Sequence, residues 1–153
     1  MTSTIRRATP SDAALLARHR ARVWVEVGEF DTEDHPHVGV WRRWLVGALT
    51  DGRLVAWIAE EDTAPVASAW LLIAPAVPGP DSAAEHDGRV HSVWVEPSWR
   101  RRGIARALMD VMVEHARAYP LRRLTLHSSD DAKPLYVSMG FTPLDEMKLY
   151  FEE

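Results

Sequence analysis

Three consecutive arginines and a glycine, Arg100-Arg101-Arg102-Gly103, stand between an apolar run and a helical pattern. Val93-Trp94-Val95-Glu96-Pro97 reads as the end of a strand and a turn, and Ile104-Ala105-Arg106-Ala107-Leu108 as the start of a helix. A helix N-terminus leaves backbone N–H groups unpaired and carries the positive end of the helix dipole, which makes it a site for phosphate oxygens. Gly103 has no Cβ, so backbone and ligand can approach closely there. Cations at a helix start oppose the dipole, a cost that an anionic ligand would offset. The chemistry read from these residues is the binding of a phosphorylated ligand by the amides of Arg101–Arg106, with the guanidinium groups screening its charge. The alternative is a solvated, charged helix start.

The spacing fits neither a Walker loop, which needs Gly-Lys-Ser/Thr, nor a dinucleotide-binding Gly-x-Gly-x-x-Gly. Arg100–Ala105 fits Arg/Gln-x-x-Gly-x-Gly/Ala after a strand ending in Val-x-Pro. About thirty residues on, Leu124-Thr125-Leu126-His127 is followed by Ala132-Lys133-Pro134-Leu135-Tyr136-Val137-Ser138-Met139-Gly140-Phe141. Together, over residues 89–151, these segments resemble the GNAT superfamily of N-acetyltransferases. The first resembles its acetyl-CoA pyrophosphate loop and the second its Ala-x-x-Leu-Tyr-x-x-x-Gly-Phe helix. The first half of the chain matches in element order only.

The resemblance implies acetyl-CoA as acetyl donor and a primary amine of a small molecule or peptide as acceptor, attacking directly in a ternary complex. It implies an α/β (α+β) fold with a mixed, mostly antiparallel sheet flanked by helices and splayed between the fourth and fifth main strands. Cofactor contacts fall on Val93, Trp94 and Val95 through the main chain, and on Arg100, Arg101, Arg102, Gly103, Ile104, Ala105 and Arg106. Tyr136 matches the superfamily's tyrosine. A phenol of reference pKa about 10 can protonate a departing thiolate, and the alternative is a core aromatic. Where many members carry an asparagine, this chain has Ser128-Ser129-Asp130-Asp131, so Ser128 is the nearest substitute for a pantetheine contact. Lys133 meets a CoA phosphate or is solvated. A homodimer is a superfamily habit.

The general base is open among several groups. His91 lies two residues before Val93, and strand alternation predicts the same side for both. Its ordinary pKa of about 6.5 suits proton uptake. Glu26 and Glu29, near the end of the first helix, are rivals or contacts for a cationic acceptor, and ordered water is a further choice. Trp24, Trp41 and Trp44 lie in the variable half and pack in the core or line an acceptor pocket; Trp24 and His91 are assigned to the acceptor. His35-Pro36-His37 with Glu33 and Asp34 has the residue types of a metal site, but it reads as a flexible acidic loop, and no metal is expected.

These groups need positioning elements. The pattern predicts a strand at Thr4–Ala8, a helix capped by Thr9 or Ser11 and ended by Gly28, a loop at Glu29–Val38 and a helix at Val40–Leu49. Strands Leu54–Glu60 and Val66–Ile73 form a hairpin through Glu61–Pro65. A Pro- and Gly-rich loop at Pro75–Gly88 leads to a strand at Arg89–Val95. A helix follows from Arg101 to about Ala118, with Ile104, Leu108, Val111 and Met112 on one face and Arg106, Asp110, Glu114 and Arg117 opposite. A strand at Arg123–His127, a helix at Ala132–Met139 and a last strand at Thr142–Phe151 complete the order.

The chain has 153 residues, 46% hydrophobic and 26% charged, which suits one globular domain over 1–153. Its formal charge of -4 and the lack of a second basic face count against nucleic acid as a partner. Without cysteine there is no disulfide, thiol nucleophile or Cys-based zinc site. Neither a leader pattern nor a run approaching the ~20 apolar residues of a membrane span is visible. The expected location is cytoplasmic, with no membrane partner. A non-catalytic acyl-CoA-binding regulatory domain is the alternative function.

Overall fold

Leu54, Ala56 and Ile58 alternate along one strand with Val55, Trp57 and Ala59, and both sets are buried in separate apolar clusters. A strand buried on both faces requires helices on both sides of its sheet. The computed structural model, which describes residues 3–151, has that arrangement. Strands β1 (Thr4–Arg7), β2 (Leu54–Glu61), β3 (Ala64–Pro75) and β4 (His86–Val95) pair antiparallel in sequence order. β5 (Leu124–Thr125) joins β4 in parallel, giving the order β1-β2-β3-β4-β5. Asp62 and Thr63, with φ of 47° and 67°, make the tight turn between β2 and β3.

Helices α1 (Ala13–Glu26) and α2 (His37–Asp51) cover one face, where Leu16, Ala17, Leu45 and Ala48 meet Leu54, Ala56, Ile58 and Trp70. Helices α3 (Ile104–Ala118) and α4 (Lys133–Ser138) cover the other. There Leu108, Met109, Met112 and Tyr136 pack on Val55, Trp57, Leu71 and Val90. Burying a leucine fully contributes about 1.5–3 kcal/mol relative to leaving it exposed. At the start of α1, Asp12 accepts the Thr9 backbone N–H at 2.8 Å and a bidentate pair from Arg6 at 2.8 and 2.9 Å.

The splay expected of the sheet is present. Among the described residues β4 bonds to β5 only at Gly88–Leu124 and Arg89–Thr125, so Val90–Val95 has no described strand beside it on that side. Several bounds differ from the sequence pattern: α2 starts at His37 rather than Val40, β3 extends beyond Val66–Ile73 at both ends, and β5 shrinks from Arg123–His127 to two residues. Three further differences bear on the site. β4 begins at His86, inside the Pro- and Gly-rich stretch, because Pro75 and His86 still pair. α3 begins at Ile104 rather than Arg101, because Arg101 and Gly103 have φ of 61° and 80° and interrupt a helix. Thr142–Phe151 forms no strand. Two paired residues in β5 offer no ladder to extend, and the segment is tied by Arg89 to Glu146 at 3.2 Å. Its large side chains lie open, from Leu144 at 79% to Met147 at 95% exposed.

Gly88 lies where β4, β5 and the residues before β5 crowd together. A Cβ there would sit 2.7 Å from Leu124, 2.9 Å from Leu71 and 3.0 Å from Leu121. We predict that Gly88→Ala destabilises the fold by about 1–3 kcal/mol through overpacking. Denaturant unfolding measures this, and an unchanged midpoint would show that the leucines move aside freely.

Candidate active site

The turn before α3 keeps its backbone donors free. The first bond of the helix runs from the Ala107 N–H to the Gly103 carbonyl at 3.0 Å, and no side chain caps it. The N–H groups from Arg101 to Arg106 meet no protein acceptor among the described residues. Space is open beside them, since a Cβ on Gly103 would meet nothing within 4 Å. The arginines differ in their ties. Arg100 makes a bidentate pair with Glu26 at 2.7 Å, donates to the Val95 carbonyl at 2.9 Å and stacks 4.8 Å from Trp94. Arg102 lies 4.6 Å over Trp99. Arg106 bonds Ser138 of α4 at 3.1 Å. Arg101 has no ion-pair partner among the described residues.

β4 carries an extra residue just before this turn. Trp70 pairs with His91 and Ser68 with Trp94, so Ser92 and Val93 together oppose Ala69, and Ser92 has a φ of 50°. This is a β-bulge, which shifts the alternation of side chains by one. His91 and Val93 therefore lie on opposite faces, correcting the expectation that they share one. Val93 and Val95 pack against the α3 cluster, whereas His91 lines a cavity on the α1–α2 face. That cavity, of about 240 Å³, is bounded by Arg20, Trp41, Trp44, Trp70 and His91, with Leu54 and Leu72 beneath. Trp24 lies beside it, 5.6 Å from the Arg20 guanidinium.

Tyr136 is buried in the α3 cluster with its ring edge-on to Phe141 at 5.9 Å. Its hydroxyl has no hydrogen-bond partner among the described residues, and burial raises its pKa, so it holds its proton at neutral pH. Glu26 is committed to Arg100, whose hydrogen bond lowers the Glu26 pKa. Glu29 is exposed where α1 ends, its N–H bonded to the Trp24 carbonyl at 2.9 Å. Ser128 is half-buried and Lys133 exposed at the first residue of α4. His35 stacks on Phe30 at 3.9 Å, and its Nδ1 accepts the His37 N–H at 3.1 Å. No group of three His, Asp or Glu positioned for a metal occurs among the described residues.

Sequence reasoning missed Arg20, Trp70, Ser92 and the buried pair His19–Ser68 with the half-buried Glu96 beside it. His19 Nδ1 and Ser68 Oγ share a hydrogen bond at 2.7 Å, while Arg22 bridges Glu96 and Glu33. A signal for Arg20 existed. It falls on the stripe of α1 marked by Leu16, Ala17 and Trp24, where a cation is out of place on an apolar face. No signal marks the bulge, since Ser92 is not a glycine.

Residues 16–141 match the model of the acetyltransferase (GNAT) family. The chain belongs to that family. A GCN5-related N-acetyltransferase from Ralstonia eutropha JMP134 is similar in structure, with a TM-score of 0.90, 29% identity, and 98% of this chain and 99% of that one covered. A predicted acetyltransferase with acetyl-CoA from Clostridium acetobutylicum has a TM-score of 0.88 and 25% identity, covering 98% and 96%. A curated relative, the mycothiol acetyltransferase of Geodermatophilus obscurus, is 28% identical over 79% of this chain. The chain spans 41% of that relative's length.

In this GNAT chain burial favours the neutral form of three histidines, His115 and, most strongly, His19 and His91. Burial is the main cause that lowers His19 to about 4, with Arg22 and Arg18 adding to it against Glu96. Burial also lowers His91 to about 4, helped by Arg20, Arg89 and Lys148. A folded pKa below the ordinary value of about 6.5 means that the unfolded chain takes up protons first. Stability is then complete above about pH 6.5 and is lost as pH falls toward 4. We predict that Tm falls across this window and falls less steeply in His91→Gln. Scanning calorimetry tests it; a flat Tm would contradict neutral burial.

Proposed function

We propose that residues 1–153 form one domain that transfers an acetyl group from acetyl-CoA to a primary amine of a small molecule or peptide by direct attack. The observation that carries this reading is the continuity of free backbone donors at the α3 start with the unpaired edge of β4 over Val90–Val95. Family membership and the acetyl-CoA named with a similar structure support it. Acetyl-CoA supplies the thioester. The amides from Arg101 to Arg106 would hold its pyrophosphate beside the open side of Gly103, with Arg101 and Arg102 screening the charge. Ser128 and Lys133 are further contacts. Val93, Trp94 and Val95 offer main-chain groups to the arm, and a β4 N–H aimed at the carbonyl oxygen would stabilise developing charge.

His91 accepts the proton that the ammonium must lose before its nitrogen attacks. It stands ahead of Glu26, because Glu26 is neutralised by Arg100 while His91 is neutral and lines the cavity. Glu26 instead anchors the end of α1 to the turn before α3. Tyr136 gives its phenolic proton to the departing sulfur as the C–S bond breaks and the C–N bond forms, and it is reprotonated through solvent by the second proton that the nitrogen sheds as the amide forms. The buried His19, bonded to Ser68, has no path to a substrate and holds α1 against β3.

Mass-spectrometric screening of amine pools should yield N-acetylated products. Acetyl-CoA binding with no transfer to any amine would favour a regulatory binding domain. We predict that Tyr136→Phe leaves acetyl-CoA affinity within a few-fold while the single-turnover rate falls roughly 10²–10⁴-fold. Single turnover avoids masking by slow product release. An unchanged rate would return Tyr136 to a structural role.

A further inference from the structure

Arg20 is a cation set among tryptophans with no anionic partner among the described residues. Its guanidinium lies 5.6 Å from the ring of Trp24, 5.0 Å from Trp41 and 5.5 Å from Trp70. It donates one hydrogen bond, to Ser92 Oγ at 2.7 Å. A guanidinium has five N–H donors, so most are left over. Arg22, Arg100 and Arg122 each face a carboxylate at 2.7–2.9 Å. Arg20 has no such partner among the described residues. Burial lowers its pKa, so the fold holds this charge at a cost. Aromatic faces attract it, but they supply no oxygen to its N–H groups.

The cavity around it is built the same way. None of its lining residues carries a carboxylate. The Trp70 indole N–H, in its wall, also finds no acceptor. Donors are in excess and acceptors are missing, while the remaining surface is aromatic and aliphatic. Such a site is complemented by an oxyanion on an apolar body. A planar carboxylate matches the guanidinium fork in two parallel bonds. The volume of about 240 Å³ admits a small molecule. His91 lines the same cavity, and Arg20 is among the charges that suppress its proton affinity. A carboxylate on Arg20 would cancel that repulsion and strengthen His91 as a proton acceptor when the substrate is seated.

We infer that the acceptor is a small amine that also bears a carboxylate, an amino acid with an apolar body, whose carboxylate is gripped by Arg20 between Trp41 and Trp70. This rests on the proposed acetyl transfer, with the cavity beside His91 as its acceptor site. The same site disfavours polycationic amines, which Arg20 repels.

The test uses leucine and phenylalanine, their carboxamides, their decarboxylated amines and phosphate-bearing alkylamines of similar size. Acetyl transfer is followed by mass spectrometry. Binding is followed independently by tryptophan fluorescence, since three indoles surround Arg20. The expected result is a kcat/KM at least about tenfold higher for the carboxylates than for the carboxamides and amines, given what one charge-assisted contact contributes. Arg20→Met, which keeps the stem, should erase this preference mainly through KM, and Arg20→Lys should restore part of it. Near-UV circular dichroism checks that both variants fold. Equal use of amines and carboxylates, or a preference that survives Arg20→Met, would overturn the inference while leaving acetyl transfer standing. Preference for the phosphate-bearing amines would overturn the carboxylate assignment. Arg20-dependent fluorescence changes on carboxylate binding, without acetylation of any amine, would sustain the anion site and defeat the enzymatic reading. No response in either assay would overturn both.

Discussion

One extra residue in β4 sets the geometry on which the rest depends. By placing Ser92 and Val93 opposite Ala69, the bulge sends His91 to the α1–α2 face and Val93 to the α3 face. Without it, both would point the same way. The strand beyond it, unpaired on its β5 side, leads to the turn before α3. The bulge also presents Ser92 Oγ to Arg20, so one backbone irregularity both redirects His91 and holds a buried cation. A positive φ at a serine costs energy that the surrounding pairing must offset, and such strain tends to gather at functional sites.

The charges divide into two kinds of work. Arg100, Glu26 and Trp94 form a brace from the end of α1 to the loop after β4. Arg22 and Glu96 add a second tie between the same elements, above the buried His19–Ser68 bond. These contacts hold α1 in place, and α1 carries Arg20. Arg101, at the turn before α3, and Arg20, in the tryptophan cage, are among the arginines with no ion-pair partner in the described residues. Each stands where the proposed reaction needs to hold an anion.

Much of this was legible in the residues. Most of the order of elements, the hairpin, α3 and the helix that carries Tyr136 follow from periodicity and from local signals such as Pro120 and Gly140, which act within a few residues. The glycine turn before α3, with its open amides, was legible because helix starts and glycine carry their meaning locally. What failed was non-local. The bulge arises from register against β3, so neither its position nor the direction of His91 can be read from β4 alone. The strand pattern of Thr142–Phe151 was read from side chains, but a strand needs a ladder partner, and β5 supplies too short a one. Glu26 was visible as a free carboxylate and proved to be paired, because Arg100 approaches it from 74 positions away. Arg20 was legible in principle, as a cation on an apolar stripe, yet its significance depends on Trp41, Trp70 and Ser92, which come from three other elements.

The central claim is that the donor is gripped at the start of α3, where Gly103 leaves room beside a row of unpaired amides. Isothermal titration of acetyl-CoA into the wild-type protein and Gly103→Glu tests it most directly, with circular dichroism as the control for folding. Gly103 has a φ of 80° and open space beside it, so the glutamate strains the backbone locally and puts bulk and negative charge in the phosphate path. The account predicts clear binding to the wild type and at least a hundredfold loss of affinity in a folded variant, on the order of 2.7 kcal/mol. Equal affinity in both proteins would contradict it and move the phosphate site away from this turn.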